Sequence, residues 1–464
     1  MKDEISPRSG ILNCEQGSAT FYEENYDFRI MNGVPFKATS TAVEDFAKLV
    51  QTNKYFHGTT HDGNDIAVYA GNNQIRPIRS IGFFHSNLYA IQMGNIKSYD
   101  WDKIDAIEFR GGTLNFLSSS QEVPYEFVND AVKPSPVKQP FTFSLDFKGT
   151  TISVQVGTSS TESYGKDRVE IVGRMQYLTL EFENPISFGD IQFHIEKIKT
   201  LLSFMTFRQN VDFGEIVLQE KTLPVGILMD SAVVYSKETF SPTKKDEFKT
   251  ICFDELGAAL PLLMDLLYNE ESNNPFAFMN FIPETDKHFG RTTNDMIKNI
   301  VTCLECEIAR LRGEDVELIE SDSKSETYLA EEKSLNSLKK ELRSTIKNFQ
   351  KNSHAFSKKT NDMLYGTINH LTLADAEKIY IFYAKYQAFL CKLFSNFDIV
   401  PTREDIERLI IYRNKTTHGT QEVLDARIAT TAYYLIGLIY CMILHSIGID
   451  DNGLRKFCMK RFLS

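Results

Sequence analysis

Arg413 and His418 are the residues whose types and spacing are best suited to catalysis. They lie in the stretch IERLIIYRNKTTHG, residues 406 to 419. A guanidinium is always charged and can stabilise charge on phosphate oxygens, whereas an imidazole titrates near neutrality and can move protons. The pair is therefore suited to phosphoryl chemistry, with His418 as general acid or base.

Arg413 falls on the buried side of a predicted helix. Ile406, Leu409 and Ile410 form its apolar stripe, and position 413 continues that stripe. A charge on that side needs an anion or a carboxylate partner, because an unpaired interior charge is costly. A second interpretation therefore stays open, in which Arg413 pairs with a carboxylate and His418 caps the helix.

The ends of this helix are also marked in the sequence. Thr402 and Asp405 have the capping-box spacing, which predicts a helix start just inside 402. Residues five apart on a helix point about 140° apart, so His418 can turn towards Arg413 only if the helix ends near Thr417. Gly419, a common helix terminator, favours such an end.

The elements before and after residue 240 have different periods. Up to about residue 235, alternating apolar residues predict strands, including a hairpin over 141–156 and another around the Asp62-Gly63 turn. One helix is expected there, over Ile191 to Met205. Later the spacing is helical, with a stripe from Leu335 to Phe349, a start near Thr372 and a long helix over 421–447. We expect an α+β protein whose last third is a four-helix bundle.

Composition limits the class of protein. The 464 residues carry a net charge of −11, of which −8 belongs to residues 1–235. This argues against coating nucleic acid through bulk electrostatics, so any contact must be local. The seven scattered cysteines and the polar N-terminus predict a reduced, cytoplasmic protein. The apolar run from Ala432 to Leu444 is short for a membrane span and indicates a core helix.

Weaker candidate sites are interpreted as structural. His57, His61, Asp62 and Asp65 have ligand types but lie around a hairpin turn, and we expect no metal there. Cys303 and Cys306 lack the second pair that a zinc site needs, which favours core cysteines. A basic run that includes Lys340, Arg343 and Lys347 is either a solvated helix face or a face that contacts phosphates.

The element from Arg413 to Gly419, RNKTTHG, resembles the Arg-x4-6-His motif of the HEPN superfamily, with the common Asn directly after the Arg. The β-rich first half, with the segments GILNCEQGSATFYEEN and KYFHGTTHDGNDIAVYAG, resembles the ApeA-type anti-phage proteins in layout. The HEPN resemblance covers about the last 140 residues.

The resemblance implies a metal-independent endoribonuclease that needs no cofactor and leaves a 2′,3′-cyclic phosphate. His418 would be the general acid or base, Arg413 would stabilise the phosphorane and Asn414 would orient the site. Lys415 and the basic run would contact RNA. The substrate would be cellular RNA, with tRNA as one candidate. The family also implies a homodimer through the HEPN bundle.

The predicted organisation has three parts: a β-rich sensor domain over 1–235, a helical connection over 236–320 and the HEPN bundle over 321–464. A phage protein is the expected trigger at the sensor domain, and no membrane is expected. The competing class is a non-catalytic binding protein, with a ligand-binding or protein-binding β domain fused to a helical dimerisation bundle.

Overall fold

The computed structural model divides into two compact units, Met1–Asn269 and Glu270–Ser464. The first contains the strands and the second is helical, which confirms the predicted α+β class. The structure describes residues 8–14, 17–32, 54–70, 76–78, 81–94, 99–117, 125–128, 131–134, 139–164, 169–222, 225–236, 250–269, 274–284, 291–314, 326–352, 356–370, 375–417 and 423–462.

The strands of the first unit pair antiparallel throughout the described residues. They are β1 (Arg8–Cys14), β2 (Gly17–Glu24), β3 (Asp27–Asn32), β4 (Tyr55–Thr60), β5 (Asp65–Tyr69), β6 (Arg76–Ile78), β7 (Ile81–His85), β8 (Leu88–Gln92), β9 (Ile104–Arg110), β10 (Tyr125–Val128), β11 (Ala131–Pro134), β12 (Phe141–Phe147), β13 (Thr150–Tyr164), β14 (Val169–Ile186), β15 (Glu215–Thr222) and β16 (Ile227–Ser236).

Fourteen strands form one sheet in the order β12-β13-β14-β9-β15-β16-β8-β5-β4-β1-β2-β3-β7-β6, and β10 pairs with β11. Both predicted hairpins are confirmed. Phe141 lies opposite Val156 across β12 and β13, and β4 and β5 meet at a turn where Gly63 has a φ of +82°. Only glycine adopts such a φ without strain, so the Asp-Gly pair sets this turn.

The helices, in chain order, are α1 (Phe188–Thr206), α2 (Phe253–Leu256), α3 (Ala259–Tyr268), α4 (Asn294–Glu314), α5 (Glu326–Asn352), α6 (Lys358–His370), α7 (Asp375–Leu393), α8 (Arg403–Thr417), α9 (Ala426–Ser446) and α10 (Asp451–Phe462). Gly112–Leu117 and Pro275–Phe278 are short 3-10 helices. The predicted helices near 191–205, 335–349, 402 and 421–447 are all present.

Helix α1 supplies part of the core of the first unit. Ile191, Ile195 and Ile198 are fully buried, as their spacing predicts. His194 on the same helix is also buried, and its Nδ1 lies 3.2 Å from the Tyr268 hydroxyl of α3. Burial among aromatic rings lowers the pKa of His194 to about 4, because the charged imidazolium would lose its hydration.

In the second unit, α4, α7, α8 and α9 each pack against the other three, and α10 packs on α7 and α9. This differs from the expectation that the helix at 335–349 is one of four bundle helices. That helix, α5, packs on α6 instead. Ile297, Ile300, Leu304 and Ile308 of α4 are buried, and α4 therefore supplies the fourth apolar stripe.

Helix α9 is the most deeply buried element of this unit. Every side chain from Thr431 to Leu444 is buried. Gly437 lets α9 approach α7, since a Cβ at this position would lie 2.7 Å from the Phe394 ring and 3.0 Å from Leu390. Among the described helices, α9 alone is long and apolar enough to cross a membrane, and 89% of its most apolar window is buried inside the protein. Such burial is typical of a core helix.

Candidate functional site

Helix α8 begins at a capping box that the structure confirms. The Thr402 amide donates to the Asp405 carboxylate at 2.9 Å, and the Asp405 amide lies 3.4 Å from the Thr402 hydroxyl. These bonds satisfy amide groups that the first turn of a helix leaves free. The capping box thereby marks the start of α8 at Arg403.

Arg413 sits at the edge of the buried stripe of α8, one turn beyond Leu409 and Ile410. Its side chain is 19% exposed. Nη2 forms an ion pair with Glu305 of α4, and Nη1 donates to the Asn414 side chain at 3.1 Å. The prediction that this half-buried charge finds a carboxylate is confirmed.

The third nitrogen of the Arg413 guanidinium, Nε, differs from Nη1 and Nη2. Nε of Arg413 is buried and has no hydrogen-bond partner among the described residues. A buried donor without a partner has a cost, which is offset when an acceptor binds next to it. The described residues therefore satisfy only part of this guanidinium.

The last turn of α8 is held by threonine hydroxyls. The Arg413 carbonyl accepts from Thr417 at 2.8 Å and from Thr416 at 3.0 Å. Carbonyls at the end of a helix otherwise lack partners within it. The helix reaches Thr417, and the predicted catalytic His418, together with Gly419, lies outside the described residues. The structure therefore brings Arg413 and Asn414 together and gives no geometry for His418.

Helix α8 is anchored to both of its neighbours. The Tyr412 hydroxyl donates to Asn294 at the start of α4, at 2.6 Å. Arg427 of α9 binds the Asp405 carboxylate, with one bond of 3.0 Å. Burial alone would raise the pKa of Asp405, but hydrogen bonds from Arg427 and Thr402 outweigh it and hold that pKa below its usual value.

The other predicted RNA contacts lie on exposed surfaces. Asn414 and Lys415 are exposed at the end of α8, and Lys340, Arg343 and Lys347 are exposed on α5. Residues 340 and 347 are seven apart and therefore share one face of the helix, with Arg343 beside them. The structure thus separates the predicted contacts into two groups on two helices.

Glu305 is the member of this site that the sequence analysis missed. It lies on α4 between buried Leu304 and half-buried Cys306, and its side chain is 33% exposed. Glu307, two residues later, is fully buried and pairs with Arg310 at 2.7 Å. The signal in the sequence is the pair of carboxylates Glu305 and Glu307 in the middle of this helix, and it does not tell which one meets α8.

No group of three or more His, Cys, Asp and Glu side chains in the described ranges could hold a metal ion. Cys303 is buried and its thiol lies 3.5 Å from the Pro275 carbonyl, as a core cysteine would. Burial raises the pKa of the Cys303 and Cys306 thiols, so both are neutral near pH 7. The Asp65 carboxylate accepts a bond of 2.6 Å from the Tyr99 amide.

The chain matches no protein-family model, no curated protein and no solved structure.

Proposed function

We propose that this protein is a HEPN-type, metal-independent endoribonuclease of anti-phage defence. It would cleave cellular RNA, with tRNA as one candidate, in the cytoplasm when a phage component triggers it. The observation that carries the proposal is Arg413, half-buried at the end of α8 and followed by the Asn-x-x-x-His sequence of the HEPN motif.

The packing of the second unit supports this proposal. Helices α4, α7, α8 and α9 pack mutually, as the helices of a four-helix bundle do. The motif then stands at the end of the third helix of this group. HEPN sites are commonly composite across a two-fold axis, and a homodimer through this group would bring two copies of the motif together.

The chemistry follows from the types of the side chains. A base removes the proton of the RNA 2′-hydroxyl, whose oxygen attacks the adjacent phosphorus, and an acid protonates the leaving 5′-oxygen. The products are a 2′,3′-cyclic phosphate and a free 5′-hydroxyl. His418 would move protons, Arg413 would stabilise the phosphorane, and Asn414 would orient the guanidinium to which it is bonded.

The substrate and the trigger would bind to separate surfaces. Lys415 lies within the motif, and Lys340, Arg343 and Lys347 form an exposed basic face to which RNA phosphates could bind. The β-rich first unit would be the sensor for a phage protein. Contacts of this kind are local, in keeping with the overall charge of −11.

The ion pair between Arg413 and Glu305 favours a second candidate function. An arginine already neutralised by a carboxylate is what a purely structural residue looks like. The protein would then be a ligand-binding or protein-binding β domain fused to a helical dimerisation bundle. The two functions differ in whether RNA is cut.

The test is RNA cleavage by full-length protein in EDTA, both alone and with lysate of phage-infected cells. We expect the wild type to produce 2′,3′-cyclic phosphate ends in at least one condition. Arg413→Ala and His418→Ala should each lower the rate by roughly 10²- to 10⁴-fold, because each removes a group that acts in the transition state.

Two variants serve as matched controls. Arg408→Ala removes an arginine from the same helix that pairs with Asp425 at the surface, and His61→Ala removes an exposed histidine of the first unit. Both should cleave like the wild type. Activity that survives Arg413→Ala and His418→Ala, or a wild type inactive in both conditions, would favour the binding protein.

A further inference from the structure

Helix α5 carries an apolar stripe that its own unit buries only in part. The α5 stripe consists of Leu335, Leu338, Leu342, Ile346 and Phe349. Leu338 is 45% exposed and Phe349 is 52% exposed, and the other three are half-buried. A helix with one apolar side normally buries that side against a neighbour.

Helix α6 packs on the end of this stripe. Phe349 stacks on Phe356, with ring centroids 5.6 Å apart, and Gln350 bonds to Asn361. The first half of the stripe, around Leu338, extends beyond these contacts. The stripe spans about 21 Å of helix, which is long enough for a helix-to-helix interface.

The charges along α5 indicate which partner fits. The first turns of the helix carry Glu326, Glu331 and Glu332, whereas residues 339–351 carry five basic residues and one acidic residue. Two copies in parallel would place like charges side by side. Two antiparallel copies would place the acidic end of each beside the basic end of the other.

Helical geometry places opposite charges on the same edge of the stripe. Positions 332, 339 and 343 all fall on one side of the leucines. In an antiparallel pair that crosses near Leu338, Glu332 of one copy lies beside Arg343 of the second. Lys339 of one copy lies near Lys339 of the second at the crossing point, and the repulsion between these like charges lowers the affinity.

We propose that the α5 stripe is an interface to a second copy of this chain, with the two α5 helices antiparallel and crossing near Leu338. The interface is isologous, since each copy contributes the same surface. It lies on a helix separate from the group of α4, α7, α8 and α9. Lys340 points about 160° away from the centre of the stripe and stays accessible in the pair.

The experiment is sedimentation equilibrium of the full chain without RNA, over a range of protein concentrations. Leu338→Glu should weaken one association step at least about tenfold, because it places two carboxylates at the centre of the apolar contact. Ser344→Glu introduces the same charge on the opposite, exposed side of α5. This matched control should associate like the wild type, within about twofold.

A charge-reversal series tests the orientation. Glu332→Lys and Arg343→Glu should each weaken association, and the double variant should restore it, because the reversed pair is again complementary. A parallel pair predicts no such restoration. Circular dichroism should show unchanged helicity in all variants, since Leu338, Arg343 and Ser344 are exposed on α5.

Two results would overturn the inference. One is a wild type that stays monomeric throughout, and the other is a Leu338→Glu variant that associates as strongly as the wild type. The readout contains no RNA and therefore does not depend on the nuclease proposal. If Leu338→Glu associates like the wild type but binds RNA more weakly in a separate binding assay, the stripe is an RNA contact and the inference of a second copy is overturned.

Discussion

The ion pair between Arg413 and Glu305 is compatible with both a catalytic and a structural role of Arg413. Both side chains are partly exposed, at 19% and 33%, so solvent screens their attraction. A pair of this kind adds little to stability but orients the guanidinium. Orientation matters for a residue that must meet a phosphate, whereas stability matters for a residue that only holds two helices together.

The coupling energy between these two side chains separates the two roles. A double-mutant cycle of Arg413→Met and Glu305→Gln should give about 1 kcal/mol in urea unfolding, since the pair is only partly desolvated. The same cycle for Arg408 and Asp425, which are 57% and 34% exposed, should give about 0.3 kcal/mol. A coupling near 3 kcal/mol for the first pair would identify a structural ion pair.

His194 makes the stability of the first unit depend on pH. Burial lowers its pKa to about 4; Asp190 opposes this shift, and the nearby Lys148 and Lys197 add to it. The folded state therefore binds fewer protons than the unfolded state between about pH 6.5 and pH 4, and stability falls as the pH drops through this range. The full loss is roughly 3 kcal/mol.

Urea unfolding at pH 7, 5.5 and 4.5 measures this effect. His194→Phe should remove most of the loss, because phenylalanine cannot bind a proton and the surroundings are aromatic. His61→Ala, at an exposed histidine, should keep the pH dependence of the wild type. If His194→Phe keeps the pH dependence of the wild type, His194 is not the group that lowers the stability at acidic pH.

At the scale of elements, α8 is positioned by its first turn. Asp405 both caps α8 and binds Arg427 at the start of α9. Asp405→Ala should lower the free energy of unfolding by about 2 to 3 kcal/mol, because it removes a cap and leaves an arginine without its partner. Arg408→Ala, which breaks an exposed ion pair on the same helix, should cost less than about 0.5 kcal/mol. Equal losses in chemical denaturation would refute this account.

The close approach of α9 to α7 depends on Gly437. Gly437→Ala should destabilise the protein by about 1 to 3 kcal/mol, although alanine is the better helix former, because the new methyl group overlaps the Phe394 ring. Combining it with Phe394→Leu should recover part of the loss relative to the sum of the two single changes. Thermal denaturation measures all three variants, and simple additivity would contradict the contact.

At the scale of the whole molecule, the two units should respond separately to these changes. Hydrogen exchange should show faster exchange in peptides from α8 and α9 after Asp405→Ala, with peptides from β12 to α1 unchanged. Lowering the pH from 7 to 5 should increase exchange in α1 and its neighbours. If the exchange rates of peptides from both units rise equally after Asp405→Ala and after the change of pH, the protein unfolds as a single cooperative unit.

Elements with a strong local pattern could be predicted from the sequence. Alternation predicted the hairpin that pairs Phe141 with Val156, and helical spacing with a capping box predicted the start of α8 at Arg403. Both depend on residues within a few positions of each other, where the side chain of each residue already biases the backbone. The half-buried position of Arg413 followed from the same periodicity.

Long-range choices could not be predicted in the same way. The apolar stripes of α4 and α5 have similar spacing, and the sequence alone favours the second as a member of the bundle. The structure instead packs α4 against α7, α8 and α9. Strand β9 likewise lies between β14 and β15, far from its neighbours in the chain.

By itself, then, the sequence determined the hairpins over 141–156 and around Asp62-Gly63, helix α1, the start and buried side of α8, and that Arg413 needs an anionic partner. Only the tertiary structure decided that this partner is Glu305. The physical reason is that periodicity reports which face of an element avoids water, because burial is set locally by side-chain type. The partner that covers the face depends on the packing of the whole chain, to which distant segments contribute equally.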